Sequence, residues 1–369
     1  MLNELTRDNH YVPRWYQRGF LELGRSQLCY LNLRPDVIGL PGGRKVEKKG
    51  VHWWTPAQCF YETDLYTTFF GVQANDEIER MFFGRIDNEG SKAASAYASG
   101  DAIAMHHTFN ALFEFLDIQR LRTPKGLDWI KSRYGHLDQL QLMVEMQGLR
   151  TMNCTMWVEG VREIVTADHS DIKFIVSDHP VTLYNRECPP LASECAYPGD
   201  PSTEWNGTQT VFALNANTCL ILTHLEYSQS PEVEQAKQSR TNARYRGGQT
   251  LAKTDALIRK RQLSRDDVAA INYLLKSRAR RFLAAGREEW LFPEKVFRGD
   301  WKSIASVLLP RDDLWQFGGE IIVGYKDGST FRQDAFGRTS GAHKYLKRKE
   351  LRLECKPNDP CGCGSRRKY

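Results

Sequence analysis

Residues 173–184 read KFIVSDHPVTLY, and this stretch decides the fold class. Phe174, Ile175 and Val176 form a β-branched and aromatic run, and Val181 to Tyr184 resume it after Ser177-Asp178-His179-Pro180. The apolar strand therefore ends at Asp178, which places its carboxylate at a strand terminus. To either side the chain keeps β character, in NCTMWVEGVREIVT at 153–166 and VFALNANTCLILTHLEY at 211–227. A loop over 188–207, with PP, PGDP and NG turn formers, separates them. Further on, SRDDVAAINYLLKSRARRFLAAG at 264–286 predicts one long helix. Ser264 is its N-cap, Asp266 and Asp267 occupy the first turn, Gly286 is the stop, and Val268, Ile271, Leu275 and Phe282 form the apolar face. Upstream, residues 77–150 show helical spacing: Ile78, Phe82 and Ile86, then Ala111, Phe115, Ile118 and Leu121, then Leu137, Leu140, Leu142 and Val144. Two to four helices are expected there. Residues 10–70 carry short strand-like runs, LCYLNL and FYETDLYTTFF, around a solvated loop PGGRKVEKKG, and EIIVGYKDGSTFRQ at 320–333 reads as a hairpin turned at Asp327-Gly328. The expectation is an α+β fold in which a mixed or antiparallel sheet packs against several helices. It comprises a core over 1–337, a basic linker over 338–356 and a short tail over 357–369.

With 369 residues, 41% hydrophobic and 26% charged, the chain has the apolar mass for a full core. The formal net charge of +6 is unevenly placed: residues 338–369 hold ten basic and three acidic side chains, so the tail carries +7 and the rest about −1. No apolar run reaches the ~18 residues of a membrane span and MLNELTRDNH has no apolar signal core, so no membrane association and a cytoplasmic location are expected. Six of the nine cysteines stand singly among apolar neighbours, which argues for buried thiols in a reducing compartment rather than a disulfide framework.

Three segments carry the chemistry: NHYVPRWYQRGF at 9–20, FLDIQRLRTP at 115–124 and FIVSDHPVTLY at 174–184. Pro13 biases the residue before it towards an extended conformation, so His10 to Val12 enter as a strand or arm and Arg14 to Phe20 begin a helix. In this order the segments resemble a bacterial family of proteins of unknown function, family 4238, over roughly residues 9–290. The resemblance brings no activity with it. On the residues themselves, His10, Glu79, Asp87 and Asp178 are the candidates to surround a hard divalent cation, Mg²⁺ or Mn²⁺, with Arg122 stabilising negative charge on a phosphodiester. Glu77 and Glu79 are two apart and point to different sides of a helix, whereas Glu79 and Asp87 share a face. Each residue has a second reading. Asp178 before His-Pro is a favoured turn-capping residue, His10 fits a buried histidine fixing an N-terminal strand, and Arg120 and Arg122 fit charges at a helix C-terminus.

Phosphate-loop, nucleophile-elbow, dinucleotide and zinc-protease motifs are absent from the sequence. Adjacent His106 and His107 point about 100° apart on a helix and read as surface or packing residues. Cys154, Cys188 and Cys219 read as structural thiols. The tail PNDPCGCGSRRKY resembles the SEC-C zinc motif, with Cys361 and Cys363 as the first ligand pair. The second pair of that motif is missing from the sequence, and Arg366 stands where the motif has glycine, so the Zn²⁺ ligand set is incomplete. Lys344, Lys347, Arg348, Lys349, Arg352, Arg366, Arg367 and Lys368 are the expected nucleic-acid contacts. Arg278, Arg280 and Arg281 form a second basic stretch, flanked by acids.

The expected function is a metal-dependent nuclease or phosphodiesterase-like hydrolase acting on nucleic acid, as a bacterial defence effector against phage or mobile elements. The alternative is a non-catalytic module that binds protein or RNA and is recruited to a protein partner through its tail.

Overall fold

The computed structural model describes residues 7–39, 45–70, 73–75, 83–224, 227–228, 231, 235–240 and 257–310, together with strand segments 321–324, 330–333 and 339–340. The described chain runs β1 (Asp8–His10), α1 (Arg14–Arg18), β2 (Leu28–Asn32), β3 (Val37–Gly39), β4 (Lys45–Glu47), β5 (Val51–Trp54), β6 (Tyr61–Thr63), β7 (Thr68–Phe70) and β8 (Gln73–Asn75). Helices α2 (Gly84–Ser99), α3 (Ala102–Leu121), α4 (Pro124–Tyr134), α5 (Gln139–Gly148) and α6 (Cys154–Glu159) come next. They are followed by β9 (Val161–Thr166), β10 (Val176–Ser177), β11 (Thr182–Tyr184), β12 (Gln209–Ala213), β13 (Thr218–Thr223), β14 (Leu257–Gln262), α7 (Arg265–Arg278), β15 (Phe282–Ala285) and α8 (Ile304–Leu308). Strands β16 (Ile321–Gly324), β17 (Thr330–Gln333) and β18 (Thr339–Ser340) form an antiparallel sheet in a second compact unit, residues 318–369, distinct from the unit formed by 1–317.

The fold is α+β, as expected, and the deciding stretch feeds two sheets rather than one. β10 joins an antiparallel sheet of order β10-β15-β2-β5, and β11 joins a mixed sheet of order β11-β12-β13-β9-β14 in which only β9 and β14 run parallel. Asp178-His179-Pro180-Val181 is the crossover between them. Arg261 of β14 forks onto Glu163 of β9 at 2.6 and 2.8 Å, a buried ion pair that ties the parallel ladder.

The helical layer comprises α2 to α5, the upper end of the expected number. α2 and α3 pack closely because a Cβ at Gly90 would lie 2.6 Å from the Phe115 ring. Phe115, stacked Tyr16 and Phe212, and Trp15 join α1, α3 and β12 in one aromatic core. Three expectations change. In α5 the buried face is Leu142, Met143 and Met146, while Leu140 and Val144 face solvent. Residues 154–159 are helical, so the expected strand at 153–166 begins only at Val161. The helix capped by Ser264, with Ser264 and Asp267 in a capping box, stops at Arg278, and Phe282–Ala285 become a central strand.

The cysteines Cys154, Cys188 and Cys219 are unpaired thiols, and burial pushes Cys154 and Cys188 up to about 12, which leaves them protonated and unreactive near neutral pH. His106 and His107 are exposed. The paired β16 and β17 agree with the expected hairpin, whose turn residues lie outside the described residues. Among the described residues, no helix is long and apolar enough to cross a membrane.

Candidate functional site

The three signature segments meet in one buried polar chain. Thr123 is the N-cap of α4 with Pro124 in its first turn, and the chain can turn this tightly out of α3 because residue 126 is glycine. A Cβ there would lie 2.2 Å from the Arg120 carbonyl oxygen. Gln119 donates to the Tyr11 carbonyl at 2.8 Å and accepts from Arg122 Nε at 2.8 Å, and Arg122 Nη2 donates to Asp87 Oδ1 at 2.8 Å. Arg122 is fully buried, its guanidinium lying 5.1 and 5.8 Å from the ring centroids of Phe83 and Phe115. It is committed to these partners, a packed ion pair rather than a surface charge at a helix end.

One residue further on, Thr123 Oγ1 lies 2.8 Å from His179 Nδ1, His179 Nε2 lies 3.2 Å from Asp200 Oδ2, and Lys125 Nζ donates to Asp200 Oδ1 at 2.7 Å and to the Arg278 carbonyl at 3.1 Å. Burial pushes the His179 pKa down, which favours the neutral ring. Burial alone would raise Asp200, but the Lys125 ammonium and the His179 hydrogen bond outweigh it and hold the carboxyl well below its usual range. An ionised Asp200 only accepts, so the network assigns the proton to Nε2, with Nδ1 accepting from the Thr123 hydroxyl.

Asp178 is turned the other way. Its carboxylate accepts the backbone N–H groups of Arg280 at 2.8 Å, Arg281 at 2.6 Å and Phe282 at 2.8 Å, and its own N–H donates to the Phe282 carbonyl at 3.0 Å. Burial raises its pKa while these three amides pull against the shift. Asp178 thus has the capping role that was its second reading, exercised across a hundred residues: it ends α7 and starts β15. His10 sets Nε2 3.1 Å from the Ala57 carbonyl and rests on Tyr61, the strand-fixing arrangement.

The described members of the expected cation shell therefore serve three different networks. Asp87 is paired with Arg122, His10 sits against backbone, and both Asp178 oxygens are taken by amides. These residues do not fit a shared Mg²⁺ or Mn²⁺. Among the described residues no group of three or more His, Cys, Asp or Glu is placed to hold a metal. Glu79, Cys361, Cys363 and the basic series Lys344, Lys347, Arg348, Lys349, Arg352, Arg366, Arg367 and Lys368 lie outside the described residues.

The His179–Asp200 pair forms the floor of a cleft of about 490 Å³ between α4 and the loop after β11. Arg120, Trp129 and Arg133 line one wall, Thr203 and Trp205 another. Two guanidiniums flank Trp129, Arg120 at 5.8 Å and Arg133 at 5.9 Å from the ring, and Lys237 sits 5.8 Å from Trp205. Arg120 Nε and Nη2 are both buried without a hydrogen-bond partner. The loop wall is strutted: Thr203 donates to Asn153 Oδ1 at 2.8 Å, and Asn153 donates twice to buried Asp117, both at 2.7 Å.

Sequence reasoning found the segment bearing His179 but assigned the chemistry to its neighbour. Lys125 and Asp200 had no signal of their own, since PGDP reads as a turn and Lys125 as an ordinary residue of a helix start. No family model, curated protein or solved structure matches this chain.

Proposed function

We propose that the protein binds single-stranded nucleic acid, with one nucleotide seated in the cleft between Trp129 and Trp205. The observation that carries this reading is the pairing of cations with indoles at the cleft wall: Arg120 and Arg133 lie 5.8 and 5.9 Å from the Trp129 ring centroid, and Trp205 stands on another wall. A phosphate would pair with the guanidiniums at this wall, and an unstacked base would lie on an indole, a contact that contributes about 1–3 kcal/mol per base without sequence preference. Duplex is disfavoured because its bases are stacked inside. The basic tail is proposed as a second, purely electrostatic contact and as the surface for a protein partner.

A hydrolytic reading is favoured by one observation, the imidazole of His179 held in a single orientation at the cleft floor by Thr123 and Asp200. In that reading the Thr123 bond gives way, Nδ1 takes a proton from a water whose oxygen bonds to phosphorus, the ester oxygen departs and takes that proton back from the ring, and Arg120 rather than Arg122 faces the charge that develops. No step is routed through a cation.

Titrating labelled single-stranded and duplex oligonucleotides into the full-length protein tests binding. Preference for the single strand, lost in Arg120→Ala, is expected; equal binding by that variant removes the cleft. Incubation with total tRNA and plasmid DNA, in Mg²⁺, Mn²⁺ or chelator, separates the two readings. Cleavage that persists in His179→Gln sinks the hydrolytic one.

A further inference from the structure

On the antiparallel sheet β10-β15-β2-β5, four rings stand in a continuous stack across three strands. His52 stacks on Trp54 at 5.0 Å, Trp54 on Tyr30 at 5.0 Å, and Tyr30 on Phe282 at 5.1 Å, with interplanar angles of 18°, 28° and 23°. The stack borders a groove of about 580 Å³. Among the described residues its rim carries Lys48, Lys49 and Arg281 against one carboxylate, Asp36, which accepts from Lys48 at 3.4 Å and from Arg281 at 2.9 Å. The Arg281 guanidinium also lies 5.2 Å from the Phe282 ring. Three cations against one anion leave two positive charges beside the ring edges. An aromatic face alone would suit a cationic or a planar ligand, and this rim selects a planar ligand that is also an anion.

We infer that this groove is a second nucleotide site, taking the base of a single strand against the ring stack and its phosphate on Lys48, Lys49 and Arg281. This rests on the cleft being a nucleic-acid site, because the same strand serves both. Arg280 links the two. Its Nε donates to Tyr197 Oη at 3.1 Å, next to Ala196 and Pro198 of the cleft, and lies 3.9 Å from Asp128 Oδ2, while its Nη1 donates to Glu62 at 2.9 Å, next to Tyr61 of the groove. Asp178 gathers the amides of Arg280, Arg281 and Phe282 and so aims consecutive side chains at the path between the cavities and into the groove. It is a positioning residue for binding, which gives a function to the capping geometry.

The test is anisotropy with a labelled twelve-nucleotide single-stranded RNA over a salt series, using the full-length protein, the double variant Lys48→Glu with Lys49→Glu, Trp54→Leu and Arg120→Ala. Both lysines are exposed, and far-UV circular dichroism checks that each variant is folded. Removing two phosphate contacts should lower the salt slope by about 1.4. Trp54→Leu, which takes out the ring that holds His52 and Tyr30 in line, should weaken binding about fivefold or more with the slope unchanged, because the base loses the ring surface it rests on. Lysine and Trp54 variants that bind like wild type, while Arg120→Ala is weakened, overturn the groove and leave the cleft standing. Wild type that fails to bind overturns the cleft reading, and the groove falls with it.

Discussion

Replacing Asp178 with asparagine preserves the side-chain shape while removing its charge and one of its two acceptor oxygens. Three backbone amides depend on those oxygens, at 2.6–2.8 Å. The single amide oxygen of asparagine can hold two of them, each weaker by roughly 1 kcal/mol once the bond is no longer charge-assisted, and the NH₂ group confronts the third, at about 1–3 kcal/mol for a buried unsatisfied donor. Relief from burying a charge offsets part of this. A net loss of about 2–4 kcal/mol is expected, a large share of the ~5–15 kcal/mol that holds a typical domain together. With a urea m-value of ~3 kcal/mol/M the midpoint should fall by about 1 M. The measurement is equilibrium urea unfolding, run with chelator present throughout. A cation ligand would behave oppositely there: an uncompensated buried carboxylate is relieved by Asn, so the midpoint would stay or rise. An unchanged or higher midpoint for Asp178→Asn would refute the capping role.

Arg122→Met should cost about 1–3 kcal/mol, because it leaves buried Gln119 Oε1 without its donor, whereas Asp87, a quarter exposed, can turn to water; thermal unfolding indistinguishable from wild type would show the pair to be peripheral. Stability should fall in stages on acidification. Burial lowers the folded pKa of His179, and that of His224 to about 3, so below the unfolded value of ~6.5 the unfolded chain takes up protons that the folded chain refuses. That contribution is complete above pH ~6.5 and is lost as pH falls towards the folded values. Asp200, also depressed, adds a loss below ~3.9. Urea midpoints measured from pH 7.5 to 4.5 should decline, and His179→Gln should flatten the decline; a flat wild-type profile would contradict the buried neutral imidazoles.

The fold class was legible because it rests on local pattern: the runs in 173–184 and 211–227, the spacing through 111–121, and the Ser264 cap all recur in the structure. What escaped was decided at long range. KSRARRFLAAG has nothing local to stop a helix after Arg278, and the stop comes from Asp178, a hundred residues upstream, drawing three amides out of the helical path. In α5 the unbranched methionines Met143 and Met146 took the core positions that period-counting on Leu140 and Val144 had claimed. The site was half legible. The sequence brought attention to Asp178-His179 and to QRLRTP, yet not to their pairing through Thr123 and His179, because residues 56 apart show no periodic relation. Arg120 and Arg122 look equivalent in the sequence, and only packing separates them: one is tied to Asp87 in the core, the other keeps two buried donors unpartnered beside the cleft.

The central claim, that the cleft receives a nucleotide of a single strand, is tested most directly by photocrosslinking the full-length protein to a 4-thiouridine-substituted single-stranded RNA and mapping the adduct by mass spectrometry. Crosslinks are expected on peptides carrying Trp129, Tyr134 or Trp205, and should be lost in Arg120→Ala. Adducts that avoid these peptides, or that persist unchanged in Arg120→Ala, would contradict it.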